Sequence, residues 1–254
     1  AIDRFRQEGR LASTISHPNC VFVLEADQAG DYPYIVMELV KGTDLDEHIK
    51  THGPLELMDA LRKTVDIVEG LEEAHRIGVI HRDVKPSNCF LTGDGRIKIG
   101  DFGLSRTLAE DAQLTRTGSF IGTPLYASPE QIRNDELDGR TDVYSVASTL
   151  YFMLAGEAPF HGGDPISTMA RIVADPAPPL RDHRPDVHRE IARIIHRGLE
   201  TDRKKRWASM SDFRNALIQF LPEHRTPVGE LLRFAAWFLD VSVLLPMFMW
   251  GITF

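Results

Sequence analysis

The sequence predicts an α+β fold, with a short β-rich part first and a larger helical part after it. Two apolar runs, 20–25 and 34–40, have the composition of strands. Apolar residues then recur with helical spacing at 44–51, at 55–77 and through most of 139–221. A large domain is therefore expected, with its strands concentrated near the amino end.

The first predicted element is a helix at 2–15, because four apolar residues fall on one stripe among charged ones: Ile2, Phe5, Leu11 and Ile15. The tetrapeptide SHPN ends it, since Pro18 disfavours a helical residue before it. The stretch DQAGDYP is predicted to be the turn between the two strands.

Short β-like runs at 89–92 and 96–100 flank TGDG, which indicates a hairpin. A long polar loop is predicted at 102–125, and loops of that length inside a domain are usually functional or disordered. The later helices are interrupted at EAPFHGGDP and DPAPPLRDHRP, and we find no internal repeat.

Charge and cysteine content narrow the function classes. The net charge of −8 argues against nucleic-acid binding, which needs basic surfaces to neutralise phosphates. Cys20 and Cys89 give no disulfide framework, so a reducing, cytosolic setting is expected for the main domain. No secretory signal opens the sequence, and a first residue other than Met suggests a fragment or a processed product.

The final run, 234–254, is apolar except for Asp240. At ~1.5 Å per residue it spans ~31 Å, the thickness of a bilayer core, so it is predicted to be a transmembrane helix. Trp237 and Trp250 lie towards its two ends, as interfacial anchors do, and Arg225 and Arg233 precede it on the expected cytoplasmic side. A buried C-terminal helix is the alternative.

The stretch HRDVKPSNCFLTGDGRIKIGDFG, residues 81–103, carries groups suited to phosphoryl transfer. That reaction needs a group that orients the attacking hydroxyl, and oxygen ligands for a metal that neutralises phosphate charge. Asp83 and Asn88 lie in one loop with Lys85 between them, and Asp101 follows a β-like run. An Asp base, a Lys, an Asn oxygen and a second Asp form a set suited to Mg²⁺ and phosphate.

HRDVKPSN and DFG resemble the catalytic loop and the metal-binding loop of protein kinases. SPE at 128–130 resembles the A-P-E of that family, with Ser128 in place of Ala. Each motif could alone be an ordinary turn, but their order and spacing favour the resemblance, which covers about residues 3–221. It implies a protein-kinase-like fold with a mostly helical large lobe and a partial small lobe.

The resemblance also implies roles for single residues. Asp83 would be the catalytic base, Lys85 would contact the γ-phosphate of ATP, and Thr123 would hydrogen-bond near both. Asn88 and Asp101 would hold Mg²⁺. Lys85 within DVKPSN, together with GTPLYASPE, resembles the Ser/Thr class rather than the tyrosine class. The substrate is thus expected to be a protein Ser or Thr.

Further positions resemble the nucleotide contacts of the family, and ATP is the implied cofactor. Glu8 resembles the acid that pairs with the ATP-binding Lys, Met37 the gatekeeper, Glu38 and Val40 the backbone contacts to adenine, Asp44 a ribose neighbour, and Phe90 the floor under the base. A solvated helix charge remains open for Glu8, and a plain core residue for Phe90.

Other positions resemble the regulatory and structural residues of kinases. Arg82 precedes the catalytic Asp and would bind a phosphate on Thr115 or Thr117, although both could be ordinary loop hydroxyls. Three scaffold residues are also implied: Glu130 and Arg206 as a buried ion pair, and Asp142 as the acid that holds the catalytic loop.

The sequence departs from the family where the family has a Gly-rich loop and a strand Lys before Glu8, since this chain contains neither. Lys41, Lys50 and Lys63 come after the first helix and cannot replace that Lys. We therefore expect little or no activity from this chain alone and an active full-length protein.

The tail resembles the opening of the RDD membrane domain, in which an Arg and an Asp are spaced as Arg233 and Asp240 are. The expected domains are a small-lobe remnant, the large lobe, a linker and a membrane segment, at 1–40, 41–222, 223–233 and 234–254.

The predicted function is that of a membrane-tethered, bacterial-type Ser/Thr protein kinase with its catalytic domain in the cytoplasm, acting on protein substrates and forming a homodimer for autophosphorylation. The main alternative is a non-catalytic kinase-like signalling scaffold, and the second is a small-molecule phosphotransferase of the same fold.

Overall fold

The computed structural model describes Gly9 and residues 11–30, 32–102 and 124–222. The chain divides into two compact units, Ala1–Leu217 and Ile218–Phe254. The described part of the second unit is only the end of a helix and a short turn. All the described residues of the candidate site belong to the first unit.

Near the amino end the strands β1 (Val23–Ala29) and β2 (Tyr32–Met37) form an antiparallel pair. Both predicted strands are present, but the connection is much shorter than DQAGDYP. Asp27 pairs with Tyr34 and Ala29 with Tyr32, so the ladder continues almost to the turn. Gly30 makes the reversal with φ +61°, a conformation that glycine adopts without a steric penalty.

A second sheet is three-stranded and antiparallel, in the order β3 (Gly42–Asp44), β4 (Cys89–Thr92) and β5 (Ile97–Ile99). The predicted TGDG hairpin is confirmed between β4 and β5, with Gly95 at φ +82°. β3 was not predicted, because its three residues carry no apolar alternation. It pairs with β4 so that its last residue, Asp44, lies opposite Phe90, two residues after Asn88 of the catalytic loop.

The helical body is built around α4 (Gly139–Ala155), which is buried on almost all sides. Such a helix lies in the middle of a core rather than on its surface. Two helices pack against it, α2 (Leu57–Arg76) and α7 (Arg189–Gly198). At the α7 contact Gly198 meets Ala147 so closely that a Cβ on Gly198 would lie 2.6 Å from the Ala147 methyl group. The helices are α1 (Leu45–His52), α2 (Leu57–Arg76), α3 (Pro129–Arg133), α4 (Gly139–Ala155), α5 (Pro165–Ala174), α6 (Leu180–His183), α7 (Arg189–Gly198) and α8 (Met210–Ile218).

Several predictions fall on residues outside the described ranges. They are most of the first helix, most of the long loop and the whole apolar tail, 234–254. Residues 11 and 12, at the end of the predicted first helix, are helical. Across the ranges given above, no helix is both long enough and apolar enough to cross a membrane.

Candidate active site

The predicted catalytic residues of the loop between α2 and β4 lie together. The Lys85 Nζ atom donates to Asp83 Oδ2 at 2.7 Å, and the Asn88 amide nitrogen lies 3.2 Å from the same oxygen. Asn88 Nδ2 also donates to the backbone carbonyl of Asp83 at 2.8 Å. With that nitrogen engaged, the amide oxygen is the atom of Asn88 that suits a cation.

The loop is joined to the segment that carries Asp101. The N–H of Gly100 donates to the Asn88 carbonyl at 3.0 Å, so Asp101 directly follows a residue bonded to the catalytic loop. Asp101 has φ +60°, a left-handed conformation that is uncommon for a residue other than glycine. Such backbone geometry persists where the surrounding contacts determine it, often at functional sites.

Asn88 and Asp101 supply the oxygen atoms that Mg²⁺ prefers, and protein sites commonly hold this ion through one or two carboxylates plus substrate phosphates. The described residues contain no group of three or more His, Cys, Asp or Glu arranged for a metal. An Asn and an Asp are residue types that fit an ion sharing its ligands with bound phosphate groups.

Asp142, at the start of α4, holds the backbone of the catalytic loop. Its two oxygens accept from the backbone N–H groups of His81 and Arg82, both at 2.8 Å. The Nε2 atom of His75 lies 2.7 Å from the same carboxylate. Burial alone raises the pKa of a carboxyl, but the contacts with His75, His81 and Arg82 outweigh it and lower the pKa of Asp142. The predicted structural role of Asp142 agrees with these contacts.

Arg82 has φ +67°, so the residue before Asp83 is also held in the left-handed region. Besides the Asp142 contact to its N–H, its carbonyl accepts from Gln131 Nε2 at 2.7 Å. Gln131 belongs to α3 and also closes a capping box with Ser128. Sequence reasoning missed Gln131, since nothing local indicates a bond to a backbone group 49 residues away.

His81 links the loop to the segment at 100–102. Its Nε2 atom lies 2.9 Å from the Gly100 carbonyl, and its ring is 4.6 Å from that of Phe102, tilted by 44°. No role for His81 was predicted from the sequence. The HRD and DFG stretches are therefore connected by a side chain as well as by the Asn88 backbone.

The predicted nucleotide contacts lie at and after the end of β2. Met37 ends that strand, and Glu38 and Val40 follow it in the connection to β3. Asp44 pairs across the sheet with Phe90, so the structure brings those two together. Asp44 also caps α1, accepting from the Glu47 N–H at 2.9 Å, a structural role that the sequence analysis did not give it.

Glu38 has contacts that were not predicted. Its N–H donates to the Phe22 carbonyl, which leaves its own carbonyl as the backbone group for a ligand. Its carboxylate accepts from Lys98 Nζ at 2.5 Å and from the Phe22 N–H at 2.9 Å. Although burial acts in the opposite direction, these donors lower the pKa of Glu38.

The predicted ion pair between Glu130 and Arg206 is present and buried. Two Arg206 nitrogens donate to the two Glu130 oxygens at 2.7 and 2.8 Å. Arg206 also donates to three backbone carbonyls, those of Arg140, Thr201 and Glu200. Burial raises the pKa of Glu130, but Arg206 more than compensates and lowers it.

Four predicted positions lie outside the described residues: Glu8, Thr115, Thr117 and Thr123. Their assignments stay predictions. Within the described part of the site, the groups that the sequence assigned to the hydroxyl, the γ-phosphate and the metal are gathered at one end of β4 and β5.

A family model described as "Protein kinase domain" matches residues 2–218. The chain is 37% identical over 221 residues to "Serine/threonine-protein kinase PknB" of Mycobacterium leprae, covering 85% of this chain and 35% of that protein. It is 34% identical over 228 residues to "Probable serine/threonine-protein kinase PknB" of Bifidobacterium longum, with 86% and 33% covered.

Among solved structures, the chain is similar to that described as "Crystal structure of Rad53 1-466 in complex with AMP-PNP". The TM-score is 0.70 at 28% identity, over 84% of this chain and 54% of the other. The chain spans about a third of the length of the curated relatives named above.

Proposed function

The chain belongs to the protein kinase domain family, and from that premise we propose that it serves a Ser/Thr protein kinase that transfers the γ-phosphoryl group of ATP to protein hydroxyls. The observation that carries the proposal is the cluster of Asp83, Lys85 and Asn88, joined to the Asp101 segment through the Asn88–Gly100 bond. These groups combine a base, a cation and oxygen ligands on the catalytic loop and on the segment bonded to it.

In the proposed mechanism Asp83 accepts the proton of the substrate hydroxyl while the hydroxyl oxygen bonds to the γ-phosphorus of ATP. The bond between the γ-phosphorus and the oxygen that leaves with ADP breaks. Lys85 balances charge on the transferred group, and its bond to Asp83 orients that carboxylate. Asn88 and Asp101 would hold Mg²⁺, which supplies neutralisation of the phosphate charge. The anchoring by Asp142 keeps Asp83 in place throughout.

Labelled phosphate transfer from Mg-ATP to a generic basic protein tests the proposal, with Asp83→Asn compared against Asp94→Asn. Asp94 is an exposed acid in the β4–β5 turn and serves as the matched control. Asp83→Asn should lower kcat by about 10²–10⁴-fold while nucleotide binding persists, because proton transfer is lost and the cleft is not. Equal rates for the two variants would contradict the role of Asp83. No transfer by the wild-type protein would favour the scaffold alternative, and transfer only to small metabolites would favour the phosphotransferase.

We further propose that residues 1–254 alone transfer phosphate weakly, because their sequence has no Gly-rich loop or strand Lys ahead of Glu8. The test compares this chain with the full-length protein under the same conditions. Equal specific activities would contradict the proposal.

Phosphorylation of Thr115 or Thr117 is proposed to activate the enzyme by pairing with Arg82. In support, the buried Nε atom of Arg82 has no hydrogen-bond partner among the described residues. Mass spectrometry of active protein should find phosphate on one of the two threonines. Active protein unmodified at both would contradict it, and a homodimer would be the arrangement that allows phosphorylation in trans.

The apolar run 234–254 supports the proposal of a membrane tether with the kinase domain on the cytoplasmic side. Full-length protein should remain with membranes after a carbonate wash, and release into the soluble fraction would contradict this. Arg233 and Asp240 support an RDD-like continuation of that segment.

A further inference from the structure

The ion pair of Glu38 and Lys98 connects the two sides of the proposed nucleotide cleft. Glu38 is the first residue after β2, in the connection proposed to contact adenine. Lys98 lies in the middle of β5, three positions before Asp101, which is proposed to hold Mg²⁺. Their 2.5 Å contact therefore joins the adenine side of the site to the strand that ends at the metal side.

A second connection runs parallel to it through the backbone. The Phe22 N–H donates to the Glu38 carboxylate, and the Val21 N–H donates to the Ile99 carbonyl at 2.8 Å. The Ile99 N–H in turn donates to the Asn19 carbonyl at 2.8 Å. The segment 19–22 thus lies along β5 and donates to one Glu38 oxygen. Lys98, from β5 itself, donates to that same oxygen.

Lys98 is also placed against the proposed floor of the adenine pocket. It is the cross-strand partner of Phe90 in the β4–β5 ladder, and directly opposed residues in a ladder have side chains on the same face of the sheet. The Lys98 side chain is 24% exposed and that of Glu38 33%, so the pair is partly shielded from solvent. A shielded pair is screened less by salt than a surface one.

We infer that the Glu38–Lys98 pair is a positioning device that couples adenine binding to the geometry of Asp101. Lys98 fixes the Glu38 carboxylate, and with it the backbone around the Glu38 carbonyl and the Val40 N–H. When adenine binds to that backbone and orders it, Lys98 transmits the ordering to β5 and to Gly100. The N–H of Gly100 binds the catalytic loop. The inference rests on the proposed function, because it requires that the cleft bind a nucleotide.

Amide hydrogen exchange of the full-length protein with adenosine as the probe tests the coupling. Adenosine has no phosphate, so it reaches the adenine side without engaging a metal. It should slow exchange of the Ile99 and Gly100 amides in the wild type by at least about fivefold, the lower end of typical coupling between sites. Lys98→Met should abolish this protection and weaken adenosine binding, and Lys98→Arg should restore both.

Lys50→Met is the matched control, because it removes a surface ion pair with Asp46 within α1, outside β2 and β5. It should behave as the wild type does. Glu38→Gln should reproduce Lys98→Met, and the double variant should add nothing further, since either change breaks the same contact.

Two results separate the inference from the function on which it rests. Wild-type protein that binds neither adenosine nor Mg-ADP would overturn the proposed function and this inference together. If wild-type protein binds adenosine and Lys98→Met shows the same protection of the Ile99 and Gly100 amides, the inference alone is overturned. The same holds if Lys98→Met loses thermal stability but keeps that protection.

Discussion

The catalytic loop is held by buried polar groups, whereas the sheet of β1 and β2 carries large apolar side chains that are exposed to solvent. Asp142, which is completely buried, binds two consecutive backbone N–H groups of the loop. On β2, by contrast, Tyr32, Tyr34 and Val36 alternate along one face and are 80, 37 and 40% exposed. Polar contacts fix a backbone through their direction and distance, while an exposed apolar face fixes nothing by itself.

The difference indicates where the molecule needs precision. Arg82 and Asp101 both have left-handed backbones. Arg82 is bonded to Asp142 and Gln131, and Asp101 follows Gly100, which is bonded to Asn88 and His81. A strained conformation must be stabilised by its surroundings, so the buried network and the strain belong together. The sheet has no such residue among those described, apart from its turn glycine. Four predictions can break or sharpen the contrast.

The largest expected effect comes from Arg206→Met, which leaves Glu130 charged and buried without its partner. Breaking one side of a buried pair costs about 3–5 kcal/mol in the free energy of unfolding. Urea unfolding followed by circular dichroism measures it. The double variant Glu130→Gln with Arg206→Met should recover part of the loss, since no isolated charge remains. A loss below about 1 kcal/mol for the single variant, typical of a surface pair, would contradict the burial argument.

Asp142→Asn should be next in size. Asparagine has one side-chain oxygen, so one of the N–H groups of His81 and Arg82 would face an amide NH₂ instead of an acceptor. An unsatisfied buried donor costs about 1–3 kcal/mol. Asp138→Asn is the control, because it changes the same residue type at the N-cap of α4 on a more exposed side chain. Equal stability of Asp142→Asn and the wild type would show that the loop does not depend on this anchor.

Lowering the pH should reduce the free energy of unfolding by protonating the same two carboxylates, Glu130 and Asp142. The folded-state pKa values of Glu130 and Asp142 are lowered, so their stabilisation is complete above the unfolded pKa values of about 4 and is lost as the pH falls through the lower folded values. The free energy of unfolding should therefore decline from about pH 5 downward. The decline should be shallower in Asp142→Asn. A flat profile between pH 5 and pH 3 in the wild type would contradict the assignment.

The sequence indicates the candidate chemical groups of the site more readily than the contacts that hold them. Asp83, Lys85, Asn88 and Asp101 stand in short motifs, so residue type and spacing along the chain were enough to indicate them. The TGDG hairpin was equally local. The Glu130–Arg206 pair was predicted only through resemblance to a family, since 76 positions separate its members.

The rest was not predictable because it joins a side chain to a distant group with no local signature. Gln131 binds the Arg82 carbonyl, His75 meets Asp142, and Lys98 meets Glu38, across separations of 49, 67 and 60 residues. Any of those side chains could equally have been a solvated surface group. Strand β3 was missed for a related reason, because it exists only through its pairing with β4.

The smallest expected effect is that of Val36→Thr on the exposed face of β2. Thr keeps the branched shape and the strand preference of Val, so the free energy of unfolding should change by no more than about 0.5 kcal/mol. The matched variant is Val146→Thr in α4, where the side chain is fully buried and the added hydroxyl should cost about 1–3 kcal/mol. The same chemical change thus reports burial at both positions. A cost at Val36 equal to that at Val146 would mean that this face is covered in solution. The sheet would then be fixed by packing on that face, and not only through the bonds that the flanking segment 19–22 and Glu38 make with β5.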